Sequence, residues 1–220
     1  MERSVIMHIH IVAGGPFAYI PPLDHEASEE DILWVGVDRG TLFLLEHGIV
    51  PDRAFGDFDS VTEEELHELK KKLPALNLFQ AEKDETDLEL ALNWSLRQNP
   101  AHIQIYGITG GRADHFLGNI HLLYKGIQHK QSMTLVDKQN IIQMFGPGTY
   151  DIKQDPDKKY VSFLPFGTSV EKLTLKGFKY PLKNCHIEPG STLCISNELI
   201  HSNGTFSFHE GILIMVRSKD

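Results

Sequence analysis

The sequence predicts an α/β protein in two parts. Over the first 130 residues strand-like and helix-like segments alternate. Beyond residue 133 or so the helical period disappears and short β-rich runs follow, punctuated by Gly, Pro and Asn. With 41% hydrophobic and 23% charged residues in 220, the chain is ordinary for a globular protein and long enough to bury a core. Alternation of this kind implies a mostly parallel, Rossmann-like sheet with helices on both faces, assigned to residues 1–134. The β-rich remainder, residues 135–220, implies an all-β sandwich or barrel-like domain.

Each element has its own justification. Residues 5–13 are apolar and β-branched and stop at Gly14-Gly15, and residues 31–37 form a second apolar run ending at Asp38. Residues 40–47 predict a helix, with Leu42, Leu44 and Leu45 apolar and Gly48 at the C′ position. A third strand follows at 54–58. A helix over 62–72 opens on the capping box Thr62 to Glu65, and another over 86–97 has Thr86 as N-cap and Glu89 at N3. A strand at 103–106, a loop at 107–112 and a helix at 113–125 complete this half. The β-rich half offers strands at 133–136, 141–145, 160–164, 172–175, 192–195, 205–208 and 212–216. Turn signals separate them: Gly146-Pro147-Gly148, Pro189-Gly190 and Asn203-Gly204.

Composition excludes several classes. No apolar run reaches the roughly 20 residues of a membrane helix, and residues 5–14 are broken by His8 and His10 and lack a basic leader. Two cysteines, Cys185 and Cys194, make no disulfide framework; as buried free thiols they suit a reducing compartment, so a cytoplasmic location is expected. A net charge of -9 argues against a nucleic-acid partner. That charge is concentrated: ten acids and four bases between Asp57 and Asp87 account for six of the nine net negative charges.

The acids fall into two blocks. In Gly56-Asp57-Phe58-Asp59-Ser60, Asp57 and Asp59 project the same way from extended backbone at the carboxyl end of a strand, where open α/β sheets place ligands. In Asp84-Glu85-Thr86-Asp87, two acids flank a helix N-cap. Turn formation and helix-dipole complementation account for either block alone. Two blocks on consecutive β-α units favour a metal site of Asp57, Asp59, Asp84 and Asp87, and oxygen-only ligands suit Mg²⁺. A third block, Gly107-Ile108-Thr109-Gly110-Gly111-Arg112-Ala113-Asp114-His115, puts a glycine-rich loop before a helix. Its backbone N–H groups and Arg112 suit phosphate, although Arg112 and Asp114 also suit a local pair. Gly14-Gly15 and Asp38-Arg39-Gly40 end two further strands on the same rim. His8 and His10 alternate on a strand and are read as core side chains. No signature for covalent catalysis occurs.

These blocks, with Leu117-Gly118-Asn119 after the third and Ser196-Asn197 in the β-rich half, resemble the signature of the thiamine pyrophosphokinase family in order and spacing over nearly the whole chain. The resemblance implies transfer of a diphosphoryl group from ATP to the hydroxyethyl oxygen of thiamine, with AMP leaving. It implies Mg²⁺ on Asp57, Asp59 and Asp87, with Asp84 as ligand or supporting group. For an alcohol nucleophile that needs a base, Asp59 or Asp84 is the candidate. It places the nucleotide on Gly15, Asp38, Arg39, Thr86, Thr109, Gly110, Gly111, Arg112, Asp114 and His115. Thiamine falls to Ser196, Asn197 and Lys83, the last standing where many relatives have glutamine. An aromatic covers thiamine in some relatives; Phe163, Phe206 and Phe208 are the candidates here. Members are homodimers with the site shared between subunits. The rival readings are a diphosphokinase for another alcohol such as a hydroxymethylpterin, a non-catalytic Mg-nucleotide sensor, and a nucleotide phosphohydrolase.

Overall fold

The computed structural model describes residues 6–23, 31–56, 62, 64, 77–78 and 84–220. The chain divides into two compact units, Met1–Lys138 and Gln139–Asp220. The predicted helix at 62–72 lies, apart from Thr62 and Glu64, outside the described residues, as does the end of the strand predicted at 54–58.

The first unit contains a parallel sheet. Its strands are β1 (Met7–Val12), β2 (Asp31–Val37), β3 (Arg53–Gly56), β4 (Asn77–Leu78), β5 (His102–Tyr106) and β6 (Met133–Val136), in spatial order β6-β5-β1-β2-β3-β4. Among the described residues three helices accompany them: α1 (Arg39–Glu46), α2 (Asp87–Arg97) and α3 (Ala113–His129). The central strands are β-branched and fully buried at Ile9, Ile11, Val35 and Ile103. The helices bury one stripe each, Phe43 and Leu44 on α1, Leu88, Ala91 and Leu92 on α2, Leu123 and Gly126 on α3. Gly48 follows α1 at C′ with φ 76, as its position in the sequence implies. Helix α3 runs four residues past the predicted end and stops at Lys130, which adopts the left-handed conformation at φ 54.

The strand order locates the ligand edge. From β1 the chain moves outward through β2, β3 and β4, then crosses back to place β5 on the other flank of β1. The connections leaving β1 and β5 therefore diverge, opening a crevice at their carboxyl ends.

The second unit has two antiparallel sheets. One is ordered β12 (Asn197–Glu198), β9 (Tyr160–Pro165), β14 (Leu213–Ser218), β7 (Asn140–Phe145). The other is ordered β11 (Leu182–Ile187), β10 (Val170–Lys176), β13 (Asn203–Phe208), β8 (Gly148–Lys153). Alternate residues of β9, β10, β13 and β14 fill the core between them. Phe206 sits at its centre, its ring 5.0 Å from those of Tyr150 and Phe163 and 5.1 Å from that of Phe145.

Three expectations need correction. Residues 192–195 form a turn, with the Ile195 N–H donating to the Thr192 carbonyl at 3.2 Å and the Ser191 hydroxyl accepting from the Leu193 N–H at 3.4 Å. Those bonds and the positive φ of Ser196 delay the strand to Asn197. Strands β8 and β11 are absent from the predicted set because both are edge strands with a single buried residue each. Finally, of the two free cysteines Cys194 is buried, its thiol pushed up to about 11 by desolvation, whereas Cys185 on edge strand β11 is only half-buried. No described helix is long and apolar enough to cross a membrane.

His10 is half-buried, with its ring turned toward the core. Its ring stands edge-on to Trp34 at 4.9 Å and Tyr106 at 5.7 Å, and its Nδ1 is buried without a hydrogen-bond partner. Burial, with His102 and His8 nearby, lowers its pKa from 6.5 to about 4. The native state therefore holds His10 neutral while the unfolded chain protonates below 6.5, so stability is full above that pH and falls from 6.5 to about 4. His10→Phe should reduce that loss by roughly 2 kcal/mol, allowing for partial solvent screening. Urea titrations of both proteins at pH 7 and 4.5 measure it; equal losses contradict the assignment. In the second unit, Phe206→Ala should cost about 3–5 kcal/mol in the same assay at pH 7.

Candidate functional site

A cleft of about 700 Å³ opens on the N-terminal unit where the strand order predicts it. Its lining comes from the ends of β1 and β2, the first turn of α2, the loop after β5 and the first turns of α3.

The floor is backbone. Past the strand ends the Ala13 N–H donates to the Tyr106 carbonyl at 2.9 Å and the Gly15 N–H to the Gly107 carbonyl at 2.8 Å. This approach admits no side chain: a Cβ at Gly15 would overlap the Gly107 oxygen, and one at Gly107 (φ 69) would overlap the Ala13 oxygen. At the end of β2, Asp38 takes φ 49 and ψ -126 at the start of α1, makes no side-chain cap, and donates its N–H to the Phe55 carbonyl at 2.9 Å. Its carboxylate occupies the space that a Cβ at Gly56 would need. Asp38 therefore stands at the last residue of β3, next to the point where the first acidic block begins.

Helix α2 begins as its sequence implies, with the Thr86 hydroxyl accepting from the Glu89 N–H at 3.2 Å. Asp87 and Glu89 bring two acids into its first turn. Glu89 is tied down: its carboxylate pairs with Lys125 on α3 at 2.7 Å, and the same ammonium donates to Asn93 Oδ1 at 2.8 Å. Arg112 and Asp114 form the local pair, Nε to Oδ1 at 3.1 Å with a second contact through Nη2, and the His115 N–H donates to Asp114 at 3.0 Å. The Arg112 fork, with burial opposing, holds the Asp114 carboxyl down at about 2. The pair is exposed, 72% for the Arg112 side chain, so water screens it. Thr109 Oγ1 is buried, faces no hydrogen-bond partner in the protein, and belongs to a residue that lines the cleft.

Ten of the predicted residues line this cleft: Gly15, Asp38, Arg39, Thr86, Asp87, Thr109, Gly111, Arg112, Asp114 and His115. Gly110 and Asp84 are described but lie outside the lining, and Asp84 is exposed. Asp57, Asp59 and Lys83 lie outside the described residues. Ser196 and Asn197 belong to the second unit. Asn197 is buried, its Oδ1 accepting from the N–H groups of Tyr180 (3.0 Å) and Glu198 (2.9 Å) and its Nδ2 donating to the Tyr180 carbonyl (2.8 Å). Phe163, Phe206 and Phe208 are each 1% exposed, so the expectation that one of them covers a ligand is corrected: all three point between the sheets. Gly118 and Asn119, quoted in the sequence without a role, line the cleft with His115, as does Leu122, which sequence reasoning passed over. The spacing i, i+3, i+4, i+7 on one helix face is the signal that finds them.

The donors at the rim are carboxylate, hydroxyl and backbone oxygen, a set that fits a hard cation such as Mg²⁺ completed by ligand phosphates. Among the described residues no three of His, Cys, Asp and Glu converge on one metal position.

Fold and cleft together define an α/β ligand-binding unit followed in the chain by an antiparallel β unit. Family models match both: "Thiamin pyrophosphokinase, catalytic domain" over residues 25–135 and "Thiamin pyrophosphokinase, vitamin B1 binding domain" over residues 149–213. The chain is 63% identical over 212 residues to the thiamine pyrophosphokinase of Bacillus subtilis (strain 168), covering 96% of this chain and 99% of the relative. The crystal structure of thiamine pyrophosphokinase from Bacillus subtilis aligns with a TM-score of 0.92 at 62% identity, covering 97% of this chain and 99% of that one. That of thiamin pyrophosphokinase from Geobacillus thermodenitrificans aligns at 0.89 and 52%, covering 97% and 98%. The chain belongs to the thiamin pyrophosphokinase family.

The Arg112–Asp114 geometry is open to direct measurement. In Arg112→Ala the Asp114 carboxyl should titrate well above its native value of about 2, toward 3.8. Carboxyl-carbon NMR reads the shift, and an unmoved titration would show that the pair does not form in solution.

Proposed function

We propose that the protein transfers the diphosphoryl group of ATP to the hydroxyethyl oxygen of thiamine, giving thiamine diphosphate and AMP, with Mg²⁺ required. The observation that carries this reading is the coincidence of near full-length 63% identity to a thiamine pyrophosphokinase with a cleft that collects ten family-type residues. The acceptor oxygen bonds to the β-phosphorus, the bond from that phosphorus to the oxygen of the α-phosphate breaks, and AMP carries the electron pair away. Such transfers ask for positioning and charge neutralisation and little covalent work by the protein.

The chain's own groups supply that. Backbone N–H groups of residues 109–111 cradle the phosphates, and the Thr109 hydroxyl donates to a phosphate oxygen. Arg112 exchanges Asp114 for phosphate, and Asp38, Arg39, Thr86 and His115 border the nucleotide. Asp57, Asp59 and Asp87 hold Mg²⁺, with Asp84 supporting from the exposed side of the same turn. Bound there, the cation supplies charge neutralisation across the phosphates. Asp59 or Asp84 accepts the hydroxyl proton. Ser196 and Lys83 contact thiamine, and Asn197, engaged with the Tyr180 backbone, fixes the chain beside Ser196.

The same reading takes the N-terminal unit as Rossmann-like with helices on both faces, supported by the parallel order and the reversal at β1. It takes the protein as a cytoplasmic homodimer with the site shared between subunits; the family resemblance supports the dimer, and two free thiols suit a reducing compartment.

An AMP-release assay with and without thiamine, and with and without Mg²⁺, tests the reading. AMP should appear only when both are present, and a hydroxymethylpterin should not replace thiamine. AMP formation without any acceptor, or ATP binding without turnover, refutes it. Asp57→Asn and Asp87→Asn should each lower kcat at least about 100-fold with the thermal midpoint unchanged. Wild-type turnover in both would remove the metal site.

A further inference from the structure

In the described part of the connection after β1 the chain makes a 3₁₀ turn, Phe17–Tyr19. The Tyr19 N–H donates to the Pro16 carbonyl at 3.0 Å, the Ile20 N–H to the Phe17 carbonyl at 3.1 Å, and the Tyr19 carbonyl accepts from the Lys138 N–H at 2.9 Å. Its apolar anchors lie on either side of Tyr19. The Phe17 ring lies 4.7 Å from that of Phe43 on α1, and Ile20 is buried in the same cluster. Tyr19 itself is 40% exposed. The turn thus keeps its place without help from the Tyr19 ring.

That ring lies against the glycine-rich loop. A Cβ at Gly110, where φ is 78, would overlap Tyr19 Cδ2 and Cε2, and a Cβ at the next residue, Gly111, would lie 3.5 Å from Pro16 Cδ. Two consecutive glycines therefore lie along a wall made by Pro16 and Tyr19. A loop of this composition is the most permissive backbone available, and it loses the most freedom when it orders. A rigid ring against it removes part of that freedom beforehand, without using the N–H groups that the ligand needs.

We propose that Tyr19 is a positioning residue for ATP. Its ring holds Gly110 and so sets the geometry of the residue 109–111 amides before the nucleotide arrives. This rests on the assignment of that loop to the nucleotide.

The test compares wild type, Tyr19→Ala, Tyr19→Phe and Arg112→Ala for KM and kcat toward ATP and thiamine, with thermal midpoints. Tyr19→Ala should raise the ATP KM about three- to tenfold, leave kcat within about twofold and leave the thiamine KM unchanged. Tyr19→Phe should restore the ATP KM, since the ring and not the hydroxyl meets Gly110. An unchanged ATP KM in Tyr19→Ala, while Arg112→Ala raises it, overturns the role of Tyr19 and leaves the cleft assignment standing. A fallen thermal midpoint with both KM values shifted also overturns it, by showing a plain structural role. If Arg112→Ala leaves the ATP KM untouched as well, the loop does not hold ATP and the inference falls with that assignment.

Discussion

Where β1 and β5 end, the two segments do not separate, although their onward paths diverge on opposite sides of the sheet. The Gly15 N–H remains bonded to the Gly107 carbonyl, and neither residue tolerates a Cβ. A single such bond is worth only about 1 kcal/mol net. Its larger effect is geometric. By keeping two diverging loops in backbone contact, it places the glycine-rich loop, the start of α3 and the end of β1 around one space. Asp38 and Asp87 reach the same space from β2 and α2. Without that contact the same residues would ring a gap.

The first turn of α2 was legible because its cap is local: Thr86 and Glu89 are three residues apart and meet as their spacing implies. Gly48 was legible for the same reason. The rim could be read too, because strand ends and helix starts collect on one edge of a parallel sheet whatever the register. The rest depended on pairings that spacing does not encode. Strands β8 and β11, at the two edges of one sheet, carry too little apolar alternation to stand out. Leu193 and Ile195 resemble strand residues but are exposed on a turn. The partner of Glu89 lies on another helix, 36 positions away, at Lys125. Phe163, Phe206 and Phe208 looked available for a ligand until alternation placed all three inside.

Charge at the cleft is sorted by partner. Glu89 is half-buried and matched by Lys125, so it stiffens the junction of α2 and α3. Arg112 and Asp114 are matched at the surface, where exchange with another anion is cheap. Spacing had grouped Asp84 with Asp87, but only Asp87 lines the cleft, because Asp84 precedes the cap and lies on the exposed turn. Acidic residues that read as one block in sequence thus separate into different environments once the helix has a beginning.

The two cysteines carry a practical consequence. Cys194 lies two residues before Ser196, sealed in the core, and its carbonyl receives the Phe163 N–H at 3.0 Å. Cys185 is on an outer strand and only half-buried, its side chain packed against the edge of the same core. Of the two sulfurs it is therefore the less protected. A maleimide dye or spin label offered to the native protein is expected on β11 before it reaches the turn ahead of Ser196.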